Sequence, residues 1–160
     1  MDVCSRGLPH LQFNCCQMSF TVEEVLHDTA GVDHVYVIAW SNIVKIGYTN
    51  NVLQRFSTIH GEYTERKYMQ QTTTTPRLSL LAYVQGDKDL EKFLHTKFEE
   101  NNVPRELGIG REWFYINDGI LDVVKIMKYC KSKGIAGRNV ALAINHIEDE
   151  KQVYSGLYAI

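Results

Sequence analysis

The sequence predicts a single domain that mixes strands with helices, and three observations predict it. The chain's 160 residues, 44% hydrophobic and 22% charged, suffice for one sizeable core. Two runs rich in β-branched and aromatic residues, "VYVIA" (35–39) and "IVKIGY" (43–48), are separated only by Trp40-Ser41-Asn42, a hairpin signal. Two later stretches, 87–100 and 119–134, carry apolar residues at helical spacing instead.

Residues 1–20 have no periodicity and read as an irregular leader. Thr21 with Glu24 three residues later is a capping-box pattern for a short helix over 21–28. In the hairpin, the simplest turn puts Ser41 and Asn42 at the tip. Residue 39 then pairs with 44, 38 with 45, 37 with 46 and 36 with 47. Paired residues share a face. One face collects Val35, Val37, Ala39, Val44, Ile46 and Tyr48 and is the core side. The other collects Tyr36, Ile38, Lys45 and Gly47, with Tyr36 opposite the space a glycine leaves. That second face reads either as a small cleft floor or as an ordinary solvent-facing side.

Asn51 with Gln54 starts a second helix over Val52, Leu53, Phe56 and Ile59. Residues 61–77 are polar, end in "TTTTPR" and read as a loop, and "LSLLAYV" (78–84) is a third strand. Leu90, Phe93, Leu94 and Phe98 stripe the helix over 87–100. A loop and the aromatic "REWFYI" follow, with Trp113 and Phe114 in the core. The helix over 119–134 ends at Gly134, and residues 138–160 carry no clear pattern. The expected organisation is a leader with a short helix (1–33), a central domain (34–134) and a C-terminal extension (135–160).

A net charge of −2 gives no global attraction to nucleic acid. Residues 41–77, however, hold Lys45, Arg55, Arg66, Lys67 and Arg77 against only Glu62 and Glu65, and a local basic segment draws a phosphate backbone. Cys4, Cys15, Cys16 and Cys130 form no C-x-x-C pair, so they read as free thiols. No apolar run is long enough to span a membrane and no secretory pattern opens the chain, which implies an intracellular protein. Arg55, beside the apolar stripe of its helix, calls for an anion. Glu91 and His95, four apart, share a line bordering their own stripe.

Tyr36 in the first strand, Ile46-Gly47 in the second, Arg55 eight residues on and a helical Glu91 stand in an order that resembles the GIY-YIG nuclease superfamily. Its phage-derived DNA-binding branch carries K-I-G-x-[ST], L-E-x-x-L-H-x-x-F and G-x-E-W-F; here stand "KIGYT" (45–49), "LEKFLHTKF" (90–98) and "GREWF" (110–114). This resemblance implies an α+β domain, a small three-stranded antiparallel sheet flanked by helices. It also implies hydrolysis of DNA phosphodiesters with Mg²⁺ (or Mn²⁺) held by Glu91. Arg55 would neutralise charge on the scissile phosphate, and Tyr36, or Tyr48 in another register, would position or deprotonate water. Lys45 stands where the family's second tyrosine belongs and would bind phosphate or lower the phenol's pKa. Gly47, His60 and His95 complete the substrate-facing set, although His60 also reads as a plain helix end and His95 as packing. Glu112 ranks behind them, as a cap for a neighbouring segment or a group reaching the cleft. The expectation is a metal-dependent DNA endonuclease. Its rivals are a catalytically inactive DNA-binding module of the same fold and a structural interaction domain.

Overall fold

The structure, a computed structural model, describes residues 20–65, 78–107 and 110–158. The irregular part of the expected leader (1–20, save Phe20) and residues 66–77 of the expected loop lie outside them, whereas residues 61–65 of that expected loop are helical. Strands β1 (His34–Trp40), β2 (Ile43–Thr49), β3 (Leu78–Gln85) and β4 (Trp113–Tyr115) form one antiparallel sheet in the order β3-β1-β2-β4. Helices α1 (Val22–Thr29), α2 (Val52–Glu65), α3 (Lys88–Lys97), α4 (Asp118–Ser132) and α5 (Arg138–Tyr158) surround it. The architecture is α+β, as expected, but with a fourth strand in place of three.

The hairpin adopts the expected register, from His34 opposite Thr49 through Tyr36 opposite Gly47 to Trp40 opposite Ile43. Ser41 takes a φ of 55°, the left-handed conformation that primed two-residue turns need. All seven residues of β1 are buried, because β1 is an inner strand covered on both faces. Period-two alternation therefore fails there: a strand sandwiched between layers is apolar on both sides.

Sequence-encoded caps place the first helices. The Thr21 hydroxyl accepts from the Glu24 N–H at 3.0 Å, and Asn51 Oδ1 accepts from the Gln54 N–H at 3.0 Å. Asp87 and Asn117 do the same for α3 and α4.

The fourth strand is only three residues long, and its outer edge is closed locally. The Val103 N–H donates to the Trp113 carbonyl at 2.9 Å, while Asn102 Nδ2 donates to the carbonyls of Arg111 (2.7 Å) and Trp113 (2.9 Å). A β-bridge of Asn102 to Phe114 completes the cover. Trp113 and Phe114 are buried, as the sequence suggested. Residues 138–158, without a clear pattern in the sequence, form α5, which packs on α3 and α4. Val140 and Ile144 are buried, with Ile147 packed beside them, and Lys97 pairs with Glu148 across α3 and α5. Among the described residues no helix is long and apolar enough to cross a membrane.

Candidate nucleic-acid site at the outer edge of β2

The site arises from a mismatch in strand length. β4 pairs with β2 only from Ile43 to Lys45, and the Ile46 N–H makes the last bond, to the Glu112 carbonyl at 3.1 Å. In a strand the N–H and C=O of one residue point to the same edge, and so do those two residues on. The Ile46 carbonyl and the Tyr48 N–H therefore emerge past the end of β4, where an unpaired backbone group is costly. Helix α3 fills that position. His95 Nε2 lies 2.6 Å from the Ile46 carbonyl oxygen, which only accepts, so Nε2 is the donor. One turn earlier, the Glu91 carboxylate accepts the Tyr48 N–H. The four-residue spacing of Glu91 and His95 matches the two-residue step along β2. The His95 ring also packs on Phe114 at 5.2 Å.

Charge is unevenly answered here. Lys45 Nζ stands 3.3 Å from Glu112 Oε2; Lys45 is 15% exposed and Glu112 43%. Burial pushes the Glu91 carboxyl above the usual glutamate range, and the negative charge of Glu112 pushes the same way. His95, the Tyr48 N–H and Lys88 pull it down without cancelling that rise. Glu112 thus has a close lysine of its own, while the half-buried Glu91 is left destabilised as an anion.

Of the expected site residues, Lys45, Gly47, Tyr48, Glu91 and His95 gather along this edge. Four expectations change. Tyr36 does lie over Gly47, but the phenol fills that space: a Cβ at position 47 would meet Tyr36 Cζ at 2.7 Å. At 1% exposure Tyr36 is a core residue and not the wall of an open cleft. Lys45 is ion-paired within the protein, and its partner Glu112, ranked second in the sequence, is integral to the site. His95 is spent on the β2 backbone. Tyr48, expected on the core side of the hairpin, lies at the end of β2 beyond that core and is 38% exposed, its ring presented to solvent. Arg55 is exposed on the first turn of α2 and makes no ion pair among the described residues. The half-buried His60 lies further along α2, which packs chiefly on α1, β1 and β3.

Among the described residues no group of three or more His, Cys, Asp or Glu side chains is placed to hold a metal. Glu91 and Glu112 offer two hard oxygen donors. That donor set fits Mg²⁺, which keeps several waters and takes one or two carboxylates plus substrate phosphate oxygens.

No curated protein and no solved structure matches the chain. A family model does: residues 33–130 match the T5orf172 domain. This corrects the family expected from the motifs, since the match is to T5orf172 and not to a GIY-YIG family. The three fragments that carried that resemblance all lie inside the matched span. Short motifs report the order of elements around a sheet, and that order does not single out one family. The T5orf172 domain is a nuclease-like, DNA-binding type of domain, compatible with a DNA-acting function. With well over half of its residues inside that match, the chain belongs to the T5orf172 domain family.

Proposed function

We propose that the chain is a metal-dependent endonuclease that hydrolyses DNA phosphodiester bonds at the outer edge of β2, with Glu91 as the metal-holding carboxylate. One observation carries this reading: a half-buried glutamate, fixed by a backbone N–H, stands beside a second carboxylate with too little positive charge to answer both. A carboxylate so placed gains from a divalent cation, which removes the repulsion and favours the anion. When bound, the ion would stabilise charge on the scissile phosphate and lower the pKa of a bound water.

The chain's own groups divide the remaining work. Glu91 is held in place by the Tyr48 N–H, and His95 holds the strand beneath it through Ile46. Lys45 would exchange its partner, leaving Glu112 for a phosphate oxygen as Glu112 turns to the cation. Arg55, exposed and without an ion pair among the described residues, would clamp a neighbouring phosphate. Tyr48 would stack on an unpaired base. Tyr36 serves as packing under Gly47 and not as a base.

A second reading, a DNA-binding module without catalysis, is favoured by the Lys45–Glu112 ion pair and the burial of Tyr36. Relaxation of supercoiled plasmid with Mg²⁺ or Mn²⁺ separates the two. The endonuclease reading expects relaxation, reduced at least ~100-fold in Glu91→Gln and ~10-fold in Arg55→Ala. Salt-sensitive plasmid binding with no relaxation at either metal would instead establish the binding module.

A further inference from the structure

Against β3, at the opposite margin of the sheet, lies a second polar cluster that the proposed hydrolysis does not use. The Tyr83 hydroxyl donates to Asp28 Oδ2 at 2.9 Å. Lys131 Nζ stands 3.0 Å from that same oxygen and 3.4 Å from Glu24 Oε1, over the Tyr83 ring at 4.7 Å. Both partners converge on Oδ2, so Asp28 Oδ1 has no partner among the described residues.

His34 adds a second open acceptor. It is 6% exposed, and its Nδ1 lies 2.8 Å from the Val32 carbonyl oxygen. That oxygen only accepts, so Nδ1 carries the proton and Nε2 of the neutral ring is a bare lone pair. Nε2 has no partner among the described residues. His34 and Asp28 line one cavity of about 270 Å³ with Gln85 and Lys131. Through Gln85 and Ala136 it adjoins a second cavity of about 510 Å³, lined by Asp33 and Asp87. The two cavities therefore bring three carboxylates against one lysine, and that lysine is shared with Glu24.

We propose that these two adjoining cavities bind a small aliphatic polyamine. One ammonium donates to Asp28 Oδ1 and His34 Nε2, and a second, further along the chain of the ligand, lies beside Asp33 and Asp87. The chemistry selects this class. An anion would meet an excess of negative charge, and a ligand without N–H or O–H donors would leave both acceptors unmet. An ammonium needs only acceptors for its three N–H groups, and Asp28 Oδ1 and His34 Nε2 are two such acceptors. Two cavities in series suit an extended ligand over a compact one.

Calorimetric titration of the full chain with putrescine and spermidine at low salt, followed in parallel by the His34 ring resonances, tests the assignment. One-site binding with a shifted His34 signal is expected. Affinity should fall at least tenfold in His34→Phe, which keeps a ring of similar size, and several-fold in Asp33→Asn, an exposed position where folding is not at risk. Absence of binding overturns the proposal. So does binding that Asp33→Asn leaves unchanged, which marks diffuse counterion attraction. An equal His34 shift on adding glycerol, a neutral polyol, also overturns it.

Discussion

Glu91 and Asp28 stand at opposite margins of one sheet, each partly buried and each holding a neighbouring element by hydrogen bonds, yet their surroundings treat the charge in opposite ways. Burial pushes both carboxyls up. At Asp28, hydrogen bonds from Lys131 and Tyr83 and the charge of Lys131 outweigh burial and hold the carboxyl below its ordinary value. At Glu91 burial and the charge of Glu112 outweigh His95, the Tyr48 N–H and Lys88, and the carboxyl ends above the usual range. The lesson is that burial alone does not set the outcome. The groups that reach the carboxyl do: Lys131 and Tyr83 both hydrogen-bond Asp28, whereas Glu91 receives one backbone N–H and has an acid, Glu112, beside it.

The largest test breaks the frame beneath the Glu91 side. Gly47→Ala places a Cβ 2.7 Å from Tyr36 Cζ, and a fully buried ring has nowhere to go without moving its neighbours. Urea unfolding should reveal a loss of about 3 kcal/mol. A loss under about 0.5 kcal/mol would mean that Tyr36 swings out cheaply and is not core packing.

Next in size is the cation at the other margin. In Lys131→Met, Asp28 keeps Tyr83 and the weaker charge of His27, so burial is poorly opposed and the carboxyl rises. The loss should be about 2 kcal/mol at pH 7, discounted from a buried pair because Lys131 is 26% exposed. The sign with pH follows. Asp28 is depressed when folded, so its stabilisation is present above its ordinary value of 3.8 and vanishes as pH falls through the lower folded value. The gap between wild type and variant should therefore close toward pH 2. A gap that persists there would assign Lys131 a packing role, over the rings of Tyr83 and Phe20.

How far the sequence reaches differs between the same two margins. The hairpin register was legible because a two-residue turn and period-two faces leave little choice, and the caps at Thr21 and Asn51 were legible because capping is local. Glu91 and His95 were legible as a pair. What they bond to was not, since that depends on β4 stopping at Trp113 while β2 continues, and no local pattern encodes a strand's end against a partner some 70 residues away. The same distance hid Glu112 as the partner of Lys45. Strand β4 escaped notice because three aromatic residues carry no period, and α5 because its buried stripe is thin and alanine-flanked. The Asp28–Tyr83–Lys131–His34 cluster was invisible, as its members come from four separate elements with no motif among them.

Glu112→Gln sharpens the comparison by removing one of the two causes of the Glu91 shift. Burial remains, so the carboxyl should move toward its ordinary value of 4.5 without reaching it. A ¹³C carboxyl titration reads this directly. A Glu91 value unchanged by the substitution would leave burial as the whole cause and remove the electrostatic reason for placing a cation between the two acids.

The smallest expected effect is also the most discriminating, because it has the unusual sign. The folded value of Glu91 is raised, so the folded state holds this proton more tightly than the unfolded chain does. Its contribution to stability is present below the ordinary value of 4.5 and is lost as pH rises through the folded value. At pH 7 the ionised Glu91 is thus a liability. Glutamine keeps an oxygen for the Tyr48 N–H and removes the charge. Glu91→Gln should melt about 2 °C above wild type at pH 7 and at the same temperature near pH 4. Such a gain, together with lost plasmid relaxation, is the pattern expected of a residue retained for its chemistry at the expense of the fold. A variant that melts lower at pH 7 would show instead that the Tyr48 bond to the anion outweighs both burial and Glu112, which would make Glu91 a strand-edge cap like His95.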